Sequence, residues 1–158
     1  MSQKLVVYFS ASGKTRKKAE VLADTIGADI YEIVPEKLYS KADLIWLNPI
    51  SRSSIEMRDK SSRPAIKDNP LDIAAYDVIY LGFPIWWYIA PTIVNTFLEK
   101  YDFANKKIIL FATSGSSGFG DTVKYLKGSV DDSCSIEEWK VNPKDADFTQ
   151  LCANFLNL

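Results

Sequence analysis

Between Leu5 and Thr15 the chain reads Leu-Val-Val-Tyr-Phe-Ser-Ala-Ser-Gly-Lys-Thr, a continuous apolar run that stops in hydroxyls and one glycine just before a helical pattern begins. A strand, turn and helix joined this way suit a bound oxyanion. The first backbone N–H groups of a helix have no intrahelical acceptor and lie at the positive end of its dipole, so a phosphate placed there answers both needs. Ser10, Ser12 and Thr15 add hydroxyls, and Gly13 lets the backbone turn and approach closely. Lys14, Arg16, Lys17 and Lys18 crowd cations into the first helical turns, where each is disfavoured by about 0.3 to 1 kcal/mol. A phosphate dianion relieves that conflict. An ordinary solvated helix start with a serine N-cap is the competing reading of the same residues. Gly13-Lys14-Thr15 also resembles the end of a triphosphate-binding P-loop, but that loop needs a glycine five residues earlier, where this chain has Tyr8.

Two further stretches carry ligand-like chemistry. Pro84-Ile-Trp-Trp-Tyr-Ile89 sets three large aromatics directly after an apolar strand. Flat rings there suit a planar heterocycle, each good stack contributing about 1 to 3 kcal/mol; capping the core or a subunit contact is the alternative role. Thr113-Ser-Gly-Ser-Ser-Gly-Phe-Gly120 is rich in glycine and hydroxyls, so its amides can turn toward the polar edge of such a ring, although a plain connector reads alike. Ser51 to Ser54 and Lys60 to Arg63 are two more hydroxyl and cation clusters, which read better as solvated loop.

Composition narrows the function classes. The 158 residues suit one domain spanning 1–158, with 47% hydrophobic and 25% charged residues. A net charge of −1 gives no electrostatic footprint for nucleic acid. The short apolar N-terminal run leads into structure, so neither a signal peptide nor a membrane span is expected, and a cytoplasmic location follows as an expectation. The chain has no histidine, which removes Ser-His-Asp and Cys-His catalysis and imidazole metal ligation. Cys134 and Cys152 are too isolated for a disulfide framework or a zinc site and read as buried small hydrophobes. We therefore assign no catalytic side chain and no metal ligand; a cofactor is expected to carry any chemistry.

These loops need a scaffold that brings them together. Apolar runs mark strands at Lys4 to Phe9, Asp29 to Val34, Tyr76 to Phe83 and Lys106 to Thr113, with a weaker fifth at Ser133 to Val141. Helical spacing of Ala19, Leu22, Ala23 and Ile26, closed by Gly27, marks the first helix. Pro91 opens another that buries Ile93, Val94, Phe97, Leu98 and Tyr101. A last helix after Pro143 carries Phe148, Leu151, Cys152, Phe155 and Leu156 as one stripe. The segment from Glu36 to Pro70 is read as a long polar connection with a short helix around Ala42 to Leu47. Strands alternating with helices predict an α/β three-layer sandwich on a five-stranded parallel sheet; in the order 2-1-3-4-5, the ends of strands one, three and four are neighbours at the switch point.

Over essentially its full length the chain resembles the flavodoxin family. The resemblance rests on Ser10-Ala-Ser-Gly-Lys-Thr15, Gly82-Phe-Pro-Ile-Trp-Trp-Tyr88 and Thr113-Ser-Gly-Ser-Ser-Gly-Phe-Gly120, each following its strand in order. It is nearest the bacterial single-domain flavodoxin-like proteins. The resemblance implies non-covalent FMN, with Ser10, Ser12, Gly13, Lys14 and Thr15 at its phosphate. Pro84, Ile85, Trp86 and Trp87 would border one side of the isoalloxazine, and Ser114, Gly115, Gly118 and Phe119 the other. It implies either an electron carrier working with redox partner proteins, or an FMN reductase passing electrons from NAD(P)H to a small acceptor such as a quinone or nitro compound. As an assembly, a monomer or weak homodimer is expected. A module that has lost its cofactor is the remaining alternative.

Overall fold

A computed structural model describes residues 3–156, with side chains described through Leu151 of the last helix. Five parallel strands form one sheet in the order β2-β1-β3-β4-β5: β1 (Lys4–Tyr8), β2 (Asp29–Glu32), β3 (Val78–Pro84), β4 (Lys107–Thr113) and β5 (Ser135–Val141). Helices α1 (Lys14–Ile26), α2 (Arg52–Arg58), α3 (Thr92–Lys100), α4 (Thr122–Lys127) and α5 (Asp145–Leu156) complete the chain. The predicted sheet order and three-layer arrangement are those observed.

The central strands show why their sequence lacks polar alternation. Leu5, Val7 and Phe9 enter a core shared with α3 and α4, whereas Val6 and Tyr8 enter a second core with α1 and α5. Ile108, Leu110 and Ala112 against Phe111 repeat the split on β4. Both faces are covered, so both sets of alternating residues are apolar. Gly82 on β3 pairs with Phe111 on β4, and a Cβ at Gly82 would lie 2.2 Å from the Phe111 ring. The glycine is therefore space for that ring. Cys134 is buried as expected. The side chains of Cys152, Phe155 and Leu156, assigned to the last helix's apolar stripe, lie outside the described ones.

Three expectations are corrected. β2 ends at Glu32 rather than Val34, because the chain from Val34 turns to pair with 65–67: the Glu36 N–H bonds to Ala65 O and the Lys67 N–H to Val34 O. The 36–70 segment is more ordered than its composition suggests, with a 3-10 turn at Ala42–Leu44 rather than a helix to Leu47, and with α2. The Ser51–Ser54 cluster is not solvated loop: Ser51, Ser53 and Ser54 are buried in α2 and its cap.

Gly82→Ala is expected to destabilise the fold by about 1 to 3 kcal/mol through overpacking, read as a lower urea midpoint at unchanged slope. An unchanged midpoint would contradict the fit of Phe111 over Gly82.

Candidate functional site

The loops after β1, β3, β4 and β5 leave the same edge of the sheet, the carboxyl edge at which open α/β sheets bind ligands. At one end lies the start of α1. Gly13 holds its N-cap position at φ 93°, no side chain caps the helix, and no acidic residue occupies its first turn. Ser10 Oγ accepts the Gly13 N–H at 3.0 Å, which curls the loop and leaves the amides at the helix start uncapped. Ser12, Lys14, Lys17 and Lys18 line a cleft of about 780 Å³ beside this end. Arg16 turns aside toward Glu20 at 3.8 Å. Among the described residues, no carboxylate lies within ion-pair distance of Lys14, Lys17 or Lys18. The result is a positive end furnished with amide and hydroxyl donors, whose lysines share the cleft with one carboxylate, Asp145.

Thr15 has a different position from its neighbours. Its hydroxyl is buried and bonds the Thr113 hydroxyl at 2.8 Å, tying the start of α1 to the end of β4. The loops that follow β1 and β4 are thereby held in register.

The same cleft runs on to Pro84, Ile85, Trp86, Ser114 and Gly115 and opens into a second of about 610 Å³, which adds Leu47, Ser53, Trp87, Tyr88, Ser116 and Ser117. None of the residues lining this second cleft is charged. One wall is a tight turn in which the Trp86 N–H bonds Ile89 O at 2.9 Å and the Ile89 N–H bonds Trp86 O at 3.2 Å. Trp87 and Tyr88 sit at its centre with φ of 51° and 71°. Positions of this kind favour Asn and Gly, and other residues cost roughly 1 to 2 kcal/mol each. The turn thus displays two aromatic rings at the expense of backbone strain, with Tyr88 73% exposed. Gly120 makes this possible from the β4 side, since a Cβ there would lie 2.4 Å from Tyr88 O.

Trp86 is held edge-on by Phe9 at 5.6 Å and Tyr39 at 5.3 Å between ring centroids. Tyr39 is clamped in turn: the Arg52 guanidinium lies 3.8 Å from its ring centroid, and its hydroxyl donates to Glu56 Oε1 at 2.5 Å. Burial, reinforced by the Glu56 carboxylate, pushes the Tyr39 phenol far above its ordinary value and keeps it a neutral donor. Across the cleft residues, Ser114 is fixed by Asn142, which follows β5. The Ser114 N–H donates to Asn142 Oδ1 at 2.9 Å, and Asn142 Nδ2 donates to Ser114 O at 2.7 Å. Ser114 Oγ accepts the Ser117 N–H at 2.8 Å, which closes the loop on itself.

Ser12, Lys14, Pro84, Ile85, Trp86, Ser114 and Gly115 are thus gathered on one continuous cleft, which Trp87 joins at its far end. Ser10 shapes the loop from behind, and Gly13 supplies the turn. Gly118 and Phe119 line neither cleft: Phe119 packs against the core, and its carbonyl accepts the Thr122 N–H at the start of α4. Leu44, Trp46, Ser53 and Asn142 line the cleft without having been expected there. An indole in an otherwise polar loop was the available signal for Trp46. For Asn142 it was an Asn-Pro pair at a strand end. Among the described residues, no group of three or more His, Cys, Asp or Glu could hold a metal ion.

An anion seat continuous with an aromatic, charge-free slot fits a phosphorylated planar heterocycle. The profile of the Flavodoxin family matches residues 3–151. The chain belongs to the flavodoxin family. A protein from Bacteroides eggerthii assigned as a flavoprotein is 40% identical over 100% of this chain and 99% of its own, with a TM-score of 0.89. A second, from Bacteroides uniformis, is 41% identical over 96% of this chain and 98% of its own, with a TM-score of 0.86. A flavoprotein from Lactobacillus acidophilus, solved in complex with FMN, shares the fold at 22% identity and a TM-score of 0.71, covering 95% of this chain and 99% of that one. No curated protein sequence matches the chain. No helix among the described residues of this flavodoxin-family chain is long and apolar enough to cross a membrane.

Because the Tyr88 side chain is largely exposed, Tyr88→Gly is expected to relieve the positive-φ strain and raise the stability of the ligand-free protein by about 1 kcal/mol. Urea denaturation checks this; a loss of stability would show that the ring contributes more than the strain costs.

Proposed function

We propose that this protein binds FMN without a covalent link and carries electrons through it between redox partners. What supports the reading most is continuity: an uncapped helix end flanked by Lys14, Lys17 and Lys18 opens directly into a slot walled by Trp86 and Trp87. Amides at the start of α1, the Ser12 hydroxyl and the lysines would hold the phosphate. The 84–88 turn and the 114–117 loop would hold the isoalloxazine between an aromatic wall and a wall of amides and hydroxyls. Bound FMN supplies one- or two-electron transfer. The chain's part is to grip, orient and desolvate it, and no side chain need act as acid or base.

One observation favours a second reading, reduction of a small planar acceptor such as a quinone or nitro compound by NAD(P)H. A carrier of low potential gains from carboxylates that repel negative charge on the reduced ring, yet no charged residue lines the second cleft. Anaerobic mixing of the FMN-loaded protein with NADPH separates the two: lasting yellow colour supports the carrier, and rapid bleaching supports the reductase.

The purified protein is expected to be yellow or to take up added FMN, and a colourless preparation that refuses FMN would overturn the reading. Lys14→Gln and Lys17→Gln are each expected to weaken FMN about fivefold, roughly 1 kcal/mol, while leaving riboflavin, which lacks the phosphate, unaffected. Equal losses for the two ligands would place the phosphate elsewhere.

A further inference from the structure

Three serines gather at the start of α2, and two of them satisfy each other. Ser51 Oγ donates to Ser54 Oγ at 2.9 Å and caps the helix by accepting the Ser54 N–H. Ser54 Oγ also approaches Trp46 O at 3.4 Å, linking the segment that carries the indole to the helix. Ser53 is 3% exposed, and its hydroxyl has no partner. Burying a hydroxyl without a hydrogen bond is unfavourable, and such groups are few in folded proteins. Ser53 also lines one of the two clefts at the carboxyl edge of the sheet.

That cleft is the charge-free one, shared by Trp86, Trp87 and Ser114 from the two ring-flanking loops and by Trp46 from the 36–70 segment. A flavin ring placed there brings carbonyl and ring-nitrogen groups that lose water on entry and need partners. The indole of Trp46, 68% exposed, has apolar area to gain by covering a ring. We propose that the Leu44–Ser54 stretch forms a third wall of the ring site, in which Ser53 hydrogen-bonds a heteroatom on the edge of the isoalloxazine and Trp46 covers the ring. The inference rests on the FMN reading above and assigns to Ser53 a partner that the polypeptide does not supply.

The test measures wild type, Ser53→Ala and Ser53→Cys with and without FMN. Without FMN, Ser53→Ala is expected to melt at or above the wild-type temperature, because an unsatisfied hydroxyl has been removed. With FMN, its dissociation constant is expected to rise about tenfold, and the visible absorption band of the bound flavin to shift. Ser53→Cys keeps the side chain's size with a far weaker donor and is expected to lose similar affinity, so the result stands even where the alanine variant folds poorly. Trp46→Leu should also weaken FMN while leaving the ligand-free melt unchanged. Wild-type FMN affinity and spectrum in both Ser53 variants would overturn the proposal while leaving the FMN reading intact. A drop in ligand-free stability at unchanged FMN affinity would overturn it too, showing Ser53 to be structural. Failure of the wild type itself to bind FMN would instead overturn the reading on which the proposal rests.

Discussion

The positive end of α1 is the constraint around which the rest is arranged. A helix start without a capping side chain or an early acid, followed by three lysines on the cleft, is electrostatically unfavourable by itself. The surrounding structure fixes that end instead of neutralising it: Ser10 curls the loop behind it, Gly13 takes a left-handed φ, and Thr15 is tied to Thr113 across the top of the sheet. The donors at this end are preset, so little reorganisation would be needed for an anion placed there.

The sheet makes this affordable. β1, β3 and β4 are covered on both faces and alternate their apolar residues between two cores, so their carboxyl ends are rigid anchors for loops that are not themselves regular. Rigidity then passes outward through specific contacts. Ile85 N–H bonds Thr113 O at 2.8 Å, Asn142 grips both backbone groups of Ser114, and Gly120 lets the β4 loop approach the strained Trp87–Tyr88 turn. The phenol of Tyr39, held by Arg52 and Glu56, extends the same support to Trp86 from the far side. Each wall of the cleft is therefore buttressed by a different strand or segment.

Much of this can be read from the chain because the responsible physics is local. Apolar runs without polar alternation at β1, β3 and β4, the i, i+3, i+4 spacing of Ala19, Leu22 and Ala23, and the left-handed Gly27 stop are all sequence-near signals that the structure reproduces. What escaped reading depends on partners distant in sequence or on burial of polar groups. The serines of α2 look hydrophilic, yet they bury through one another, and Tyr39 draws its order from Arg52 and Glu56 more than ten residues away. Asn142 acts on Ser114 28 residues upstream, and Thr15 spends its hydroxyl on Thr113 at the end of another strand. Phe119, aromatic and beside a glycine-rich loop, has the composition of a ligand contact but turns into the core to start α4. Periodicity carries no record of such pairings, and the short helices α2 and α4 have too few turns to show one.

In the function proposed above, the amides and lysines at the start of α1 would hold a phosphate dianion. Phosphorus NMR of the FMN-loaded protein across a pH titration tests it most directly, since a free phosphate monoester changes charge near pH 6 while donors that favour the dianion depress that transition. A bound resonance that stays fixed as the pH is lowered through 6 is the expected outcome. A bound resonance that moves through that range as free FMN does would contradict it.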